Sequence, residues 1–153
     1  MTHQEVRNFN QELGYLAGHL AENKCKNSVL NYAVSQNLKR FDKAVKAIEE
    51  NINPDLIALE QKARDLGLAK NKEIEEKNKD LKEKLPLIEN FTDTLKLLSE
   101  EEQKQHAELM IDFKKLMSAD NEVQVYKVKF DAVSDAPIEI AYMPILEKML
   151  FEN

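Results

Sequence analysis

The sequence predicts a mainly α protein: an antiparallel helical bundle with a long charged helical arm and a small C-terminal β element. Three observations predict this. Apolar residues recur at steps of three and four through most of the chain, the period of a helix face. Only three glycines and four prolines punctuate 153 residues, 33% of which are charged. One segment alone, residues 122–130, changes to β-branched and aromatic residues with polar ones interleaved. The chain is read as a single domain over 1–153, the charged arm at about 68–86 and the C-terminal strand and short helix at about 122–151.

Val6, Phe9, Leu13, Leu16 and Leu20 mark a first helix. Gly14 and Gly18 lie inside it, each costing about 1 kcal/mol relative to alanine. With Ala17 and Ala21 they form a stripe of small side chains that would let another helix approach closely, within the chain or across a symmetric partner. The short connection after Leu20 makes the next helix an antiparallel neighbour.

That second helix organises the chain. Leu30, Val34, Leu38, Phe41, Val45, Ile48 and Ile52 form its seam, Asn27 or Ser28 can cap its start, and Asn53 before Pro54 ends it. Lys39, Arg40, Lys43 and Lys46 make its polar face basic in a chain of net charge -6. Such a face either is solvated against acidic segments elsewhere or collects phosphates and carboxylates.

Pro54, Leu56, Leu59, Ala63 and Leu66 read as a third helix ending near Gly67. Residues 69–84 are nearly all charge and amide, with Ile74 and Leu81 the apolar exceptions, and read as a helical arm projecting from the core. Beyond Pro86, Leu87, Ile88, Phe91, Leu95 and Leu98 continue a helical face. Ser99 with Glu102 spells a capping box for a further helix through Met117. Residues 122–130 read as a strand, bulged near Val125 or Tyr126, with residues 137–142 as its one plausible pairing partner. Pro144 starts a short terminal helix.

Most chemistry is absent. Three scattered glycines make no phosphate loop, and no C-x-x-C or H-x-x-x-H spacing offers a zinc site. Glu102 and His106 lie one turn apart without the second Glu-x-x-His unit of a di-metal bundle, so His106 and His19 are read as core histidines. Glu100, Glu101 and Glu102 sit where negative charge suits a helix start. The single cysteine, Cys25, cannot close an internal disulfide. No apolar run spans a membrane, and the acidic balance disfavours nucleic acid. The reading is a cytoplasmic, non-enzymatic protein that needs neither metal nor cofactor.

The segment N-Y-A-V-S-Q-N-L-K-R-F, residues 31–41, resembles the opening signature of a group of small uncharacterised tailed-bacteriophage (prophage) proteins. In that group an aromatic-Ala pair precedes Asn-Leu and a basic residue. A charged middle, a strand of the type E-V-x-V-x-x-V and a proline-containing tail follow, matched here by residues 122–128 and 136–146. The resemblance covers the two ends of the chain and implies a phage origin, host-cell cytoplasm and no catalytic residues. Two functions then compete. One is an accessory or interaction protein, acting as a homo-oligomer or on a host or phage protein. Its self-association surfaces would be Gly14 and Gly18 on the first helix and Val123, Val125 and Val128 on the strand. The other is a counter-defence protein that sequesters a small anion or nucleotide on Lys39, Arg40, Lys43 and Lys46, with Tyr15, Tyr32 or Tyr126 stacking on it.

Overall fold

In a computed structural model, which describes residues 1–151, six α-helices follow one another: α1 His3–Glu22, α2 Ser28–Glu49, α3 Pro54–Asp80, α4 Phe91–Leu95, α5 Glu100–Ser118 and α6 Met143–Lys148. They divide between two compact units. The first comprises Met1–Asn51 and the chain from Leu116 onward; the second is Ile52–Lys115.

The first unit is built on the α1–α2 hairpin. Thr2 and Glu5 satisfy each other's exposed backbone N–H groups in a capping box that starts α1, a T-x-x-E signal that the apolar pattern overshadows. The α1 C-terminus closes with Cys25 N–H on Leu20 O and Lys24 N–H on Ala21 O, the Schellman pattern. It forces Lys24 to φ 50, where glycine is the usual residue. Asn27 then caps α2 through Leu30 N–H and with the same side chain donates to Ala132 O at 2.9 Å and Asp135 Oδ1 at 2.6 Å. One residue therefore starts a helix and fastens the C-terminal segment to it.

The two seams meet as their periods require. Val6, Phe9, Leu13, Leu16 and Leu20 bury against Leu30, Ala33, Val34, Phe41 and Ile48. Phe9 meets Phe41 edge to face, their ring centres 4.9 Å apart, and Asn10 donates to Asp42. Early α1 thus lies against late α2, an antiparallel pair. Val128, Val133, Ile145, Leu146 and Met149 complete the core. His19, 5% exposed, stacks on Tyr142 with ring centres 4.2 Å apart and accepts Glu139 N–H at Nε2.

The second unit has a thinner core of Leu56, Leu59, Ala63 and Leu98. Its α3 does not end near Gly67 but runs on to Asp80. Gly67 serves packing: a Cβ there would stand 2.5 Å from Thr94 Cγ2, so the missing side chain admits α4. Nor does a helix follow Pro86. Residues 81–90 are non-helical and α4 is a single turn, Phe91–Leu95, capped by Asn90. The Ser99–Glu102 capping box forms in both directions. His106 lies half-buried with Nε2 3.4 Å from Glu60 Oε1.

The expected β element is not formed. Among the described residues there is no sheet, only two isolated bridges, Thr2 with Asp120 and Val128 with Leu150. Residues 137–142 provide no second strand, since Ile140–Tyr142 is a 3-10 turn. Without a ladder there is nothing for a bulge at Val125 or Tyr126 to interrupt. The reason lies in α2. Asn37, fully buried, accepts Tyr126 N–H at 2.6 Å and donates to Tyr126 O at 2.9 Å. A primary amide carries the same donor and acceptor as a peptide unit, so the side chain replaces a neighbouring strand.

Candidate functional site

The residues that carry unspent binding capacity lie along one face of the first unit, where residues 121–127 cross α2. Asn37 can reach both polar groups of Tyr126 only if the backbone there is extended. In extended backbone the N–H and C=O of one residue face one edge, and those of the next face the other. The inner edge is satisfied from α2: Tyr126 by Asn37, and Gln124 O by Arg40 Nη1 at 3.3 Å. The outer edge is not. Among the described residues, the peptide groups of Val125 and Lys127 have no hydrogen-bond partner.

The same segment borders an open trough lined by Met1, Arg40, Val123, Gln124, Val125, Tyr126, Lys127 and Phe151. Met1 and Phe151 are exposed apolar side chains. The chain's own N-terminus begins the pairing next door: Asn121 donates to Met1 O at 2.7 Å, and His3 N–H bonds Ala119 O at 2.8 Å. Asn121 Oδ1 takes Val123 N–H. An edge with alternating unpaired groups and apolar walls is the substrate of strand addition.

The proposed ligand residues fall out differently. Arg40 lies over the Tyr126 ring, 5.4 Å from its centre, with Tyr32 meeting the same ring edge-on at 5.8 Å. Arg40 and Lys43 line a second shallow trough with Ala44, Ala47 and residues 121–124, Glu122 among them. Lys39 and Lys46 are exposed on the helix. Tyr15 is exposed on α1, where its hydroxyl accepts from Gln11. Arg40 thus lies beside Tyr126 in one trough and beside Lys43 in the other, with Tyr32 against Tyr126, while Lys39, Lys46 and Tyr15 line neither trough.

The proposed interface residues also divide. Val123 and Val125 border the open edge, whereas Val128 is buried and its peptide groups are bonded to Met149 O and Phe151 N–H. Gly14 and Gly18 lie on open surface: no atom comes within 4 Å of a Cβ built at either, so the small stripe mediates no close helix contact within the chain. A groove of about 400 Å³ between α1 and α2 is lined by Ala17, Ala21, Leu38, Lys24 and Cys25 among others. Among the described residues no group of three or more His, Cys, Asp and Glu could hold a metal ion, and no helix is long and apolar enough to cross a membrane.

Sequence reasoning missed Asn37. Its only signal is an amide on the apolar side of α2, between Val34 and Phe41 in the buried seam. No family model, curated protein or solved structure matches the chain. The resemblance to tailed-bacteriophage proteins thus rests on the quoted motifs.

Proposed function

We propose that this chain is a non-enzymatic interaction protein, of phage type by its motifs, that forms a two-fold homodimer through the outer edge of residues 123–127. The observation that carries the reading is the set of unpaired peptide groups at Val125 and Lys127 beside apolar walls. Placing Val125 of one copy opposite Lys127 of the other satisfies both residues in both copies, because a two-fold axis repeats each contact. A strand from a host or phage protein could use the same edge; self-pairing is preferred because the edge is its own complement under antiparallel two-fold symmetry. The small-anion reading draws support from Arg40, Lys43 and Tyr126, but Arg40 is already engaged by Tyr126 and Gln124.

Light scattering on the purified chain at micromolar concentration tests the dimer. The expected mass is twice the 17.7 kDa of the single chain. Val125→Pro removes one outer-edge N–H and no bond within the chain, so it should give monomer with unchanged helicity. A wild type of 17.7 kDa, or a proline variant that stays dimeric, refutes pairing through this edge.

A further inference from the structure

Self-pairing through residues 123–127 brings together a charge that neither copy gathers alone. The residues bonded within the chain alternate, Gln124, Tyr126 and Val128, while Val125 and Lys127 between them carry the unpaired peptide groups. That is the alternation of one extended segment, so Val125 and Lys127 share a face of it. Lys127 is half-buried there, and among the described residues it makes no ion pair. None of the described residues lining the adjoining trough is acidic, although the chain carries a net charge of -6.

When Val125 of one copy stands opposite Lys127 of the other, the two-fold axis passes between the two Tyr126 residues. The two Lys127 residues are then diagonal neighbours on one face of the ribbon, about 7–8 Å apart. Their long, flexible side chains can close that distance on a single ligand. Like charges so placed oppose pairing, and a lysine on a bare edge ordinarily discourages it. An anion held between the two ammonium groups turns that repulsion into attraction. It does so only in the pair, because each copy supplies one of the two cations.

The chemistry of the ligand follows from the cations. It carries at least two negative charges, so that both ammonium groups are neutralised. It is compact, and it presents oxygen acceptors in several directions to donors that are point charges on mobile stems.

We propose that the paired edge holds a small polyvalent oxyanion of the phosphate class between Lys127 of one copy and Lys127 of its partner, and that this anion controls pairing. The inference rests on the self-pairing reading and names what regulates it. Binding and pairing are coupled reciprocally: an anion that tightens the dimer is itself bound more tightly by the dimer.

Sedimentation equilibrium of the full chain gives the dimer Kd with and without millimolar inorganic pyrophosphate. Sodium chloride holds the ionic strength equal in the two buffers, so general screening does not change. Pyrophosphate should lower the Kd at least about fivefold, the lower end of an ordinary coupling. Lys127→Gln should pair equally well in both buffers, and Lys127→Arg should keep the response. A wild type that pairs equally well in both buffers overturns the anion site and leaves the dimer standing. A response that persists after Lys127→Gln places the anion elsewhere and overturns the site as well. If Lys127→Gln pairs while wild type stays monomeric in both buffers, the lysine is a block against pairing and the anion site fails. Monomer throughout, in wild type and in Lys127→Gln, overturns the pairing on which the site depends.

Discussion

Asn37 is the residue whose change tests most of the architecture of the first unit. Its amide makes two bonds to Tyr126 at a fully buried position. Removing it leaves one donor and one acceptor without a partner, at about 1–3 kcal/mol each when buried. Tyr126 is half-buried, so water relieves part of this. Asn37→Ala should therefore cost about 2–4 kcal/mol, a fall of roughly 10–30 °C in melting temperature for a unit of this size. Asn37→Asp separates polarity from packing. It keeps the acceptor for Tyr126 N–H but sets a carboxylate oxygen against Tyr126 O, so at neutral pH it should be worse than alanine. Burial and that carbonyl raise the new carboxyl's pKa in the folded state, so the folded chain binds the proton more tightly. Stability of this variant should then recover as pH falls, because the protonated carboxyl donates again. All four tyrosines lie in the first unit and the chain has no tryptophan, so tyrosine fluorescence during urea unfolding reports that unit alone. An alanine variant within about 0.5 kcal/mol of wild type, or an aspartate variant no worse than alanine at pH 7, refutes the reasoning.

Two further expectations follow from particular contacts. Gly67→Ala should destabilise the second unit by about 1–3 kcal/mol through overpacking on Thr94, despite a propensity gain of about 1 kcal/mol. Thr94→Ser should rescue it by removing Cγ2 while keeping the hydroxyl on Phe91 O; Gly14→Ala and Gly18→Ala, which meet nothing, should instead stabilise by up to about 1 kcal/mol each in thermal melts. On the acid side, Lys62 and then the Ser99 N–H hold the Glu102 carboxyl below its ordinary 4.5. A depressed folded pKa contributes stability that is complete above the unfolded value and is lost as pH falls through the folded one. Glu102→Gln should flatten that limb of the far-UV pH curve below about pH 4.5, and a limb identical to wild type would contradict the assignment.

The helices of the first unit were legible because their seams are continuous and bury along one side, as Val6 to Leu20 and Leu30 to Ile48 do. The Ser99–Glu102 box was legible because both partners are local. The continuity of α3 through Gly67 was not, although residues 69–84 were read as helical. Its inward face changes chemistry partway along, from Leu56, Leu59 and Ala63 through Gly67 to Asn71 and Asn78. An apolar period ends at Gly67 although the helix and its covered face do not. Glycine there reads as a stop signal, and only the position of Thr94, distant in sequence, shows that it admits a neighbour.

The strand failed as an expectation for a related reason, and the failure bears on function. Alternation of valine and polar residues over 122–128 encodes extended backbone, and the paired bonds from Asn37 imply it at Tyr126. What the pattern cannot encode is the partner, because the alternation reports burial of side chains and says nothing of where peptide groups bond. Here Asn37 and Arg40 supply the partner from a helix, one residue at a time. A helix can satisfy only the edge it faces. A second strand would leave an outer edge too, but its own neighbours would then cover or repeat the pairing. A single extended segment clamped to a helix has no such continuation, so the peptide groups of Val125 and Lys127 are left unpaired among the described residues. Residues 85–88 of the second unit obey the same rule, since Asn71 and Asn78 bond both peptide groups of Ile88 and Leu85 from α3. Clamping by amides thus fixes extended chain with little apolar area and, at residues 125 and 127, leaves peptide groups unpaired. That is the physical basis of the interaction role proposed for this chain.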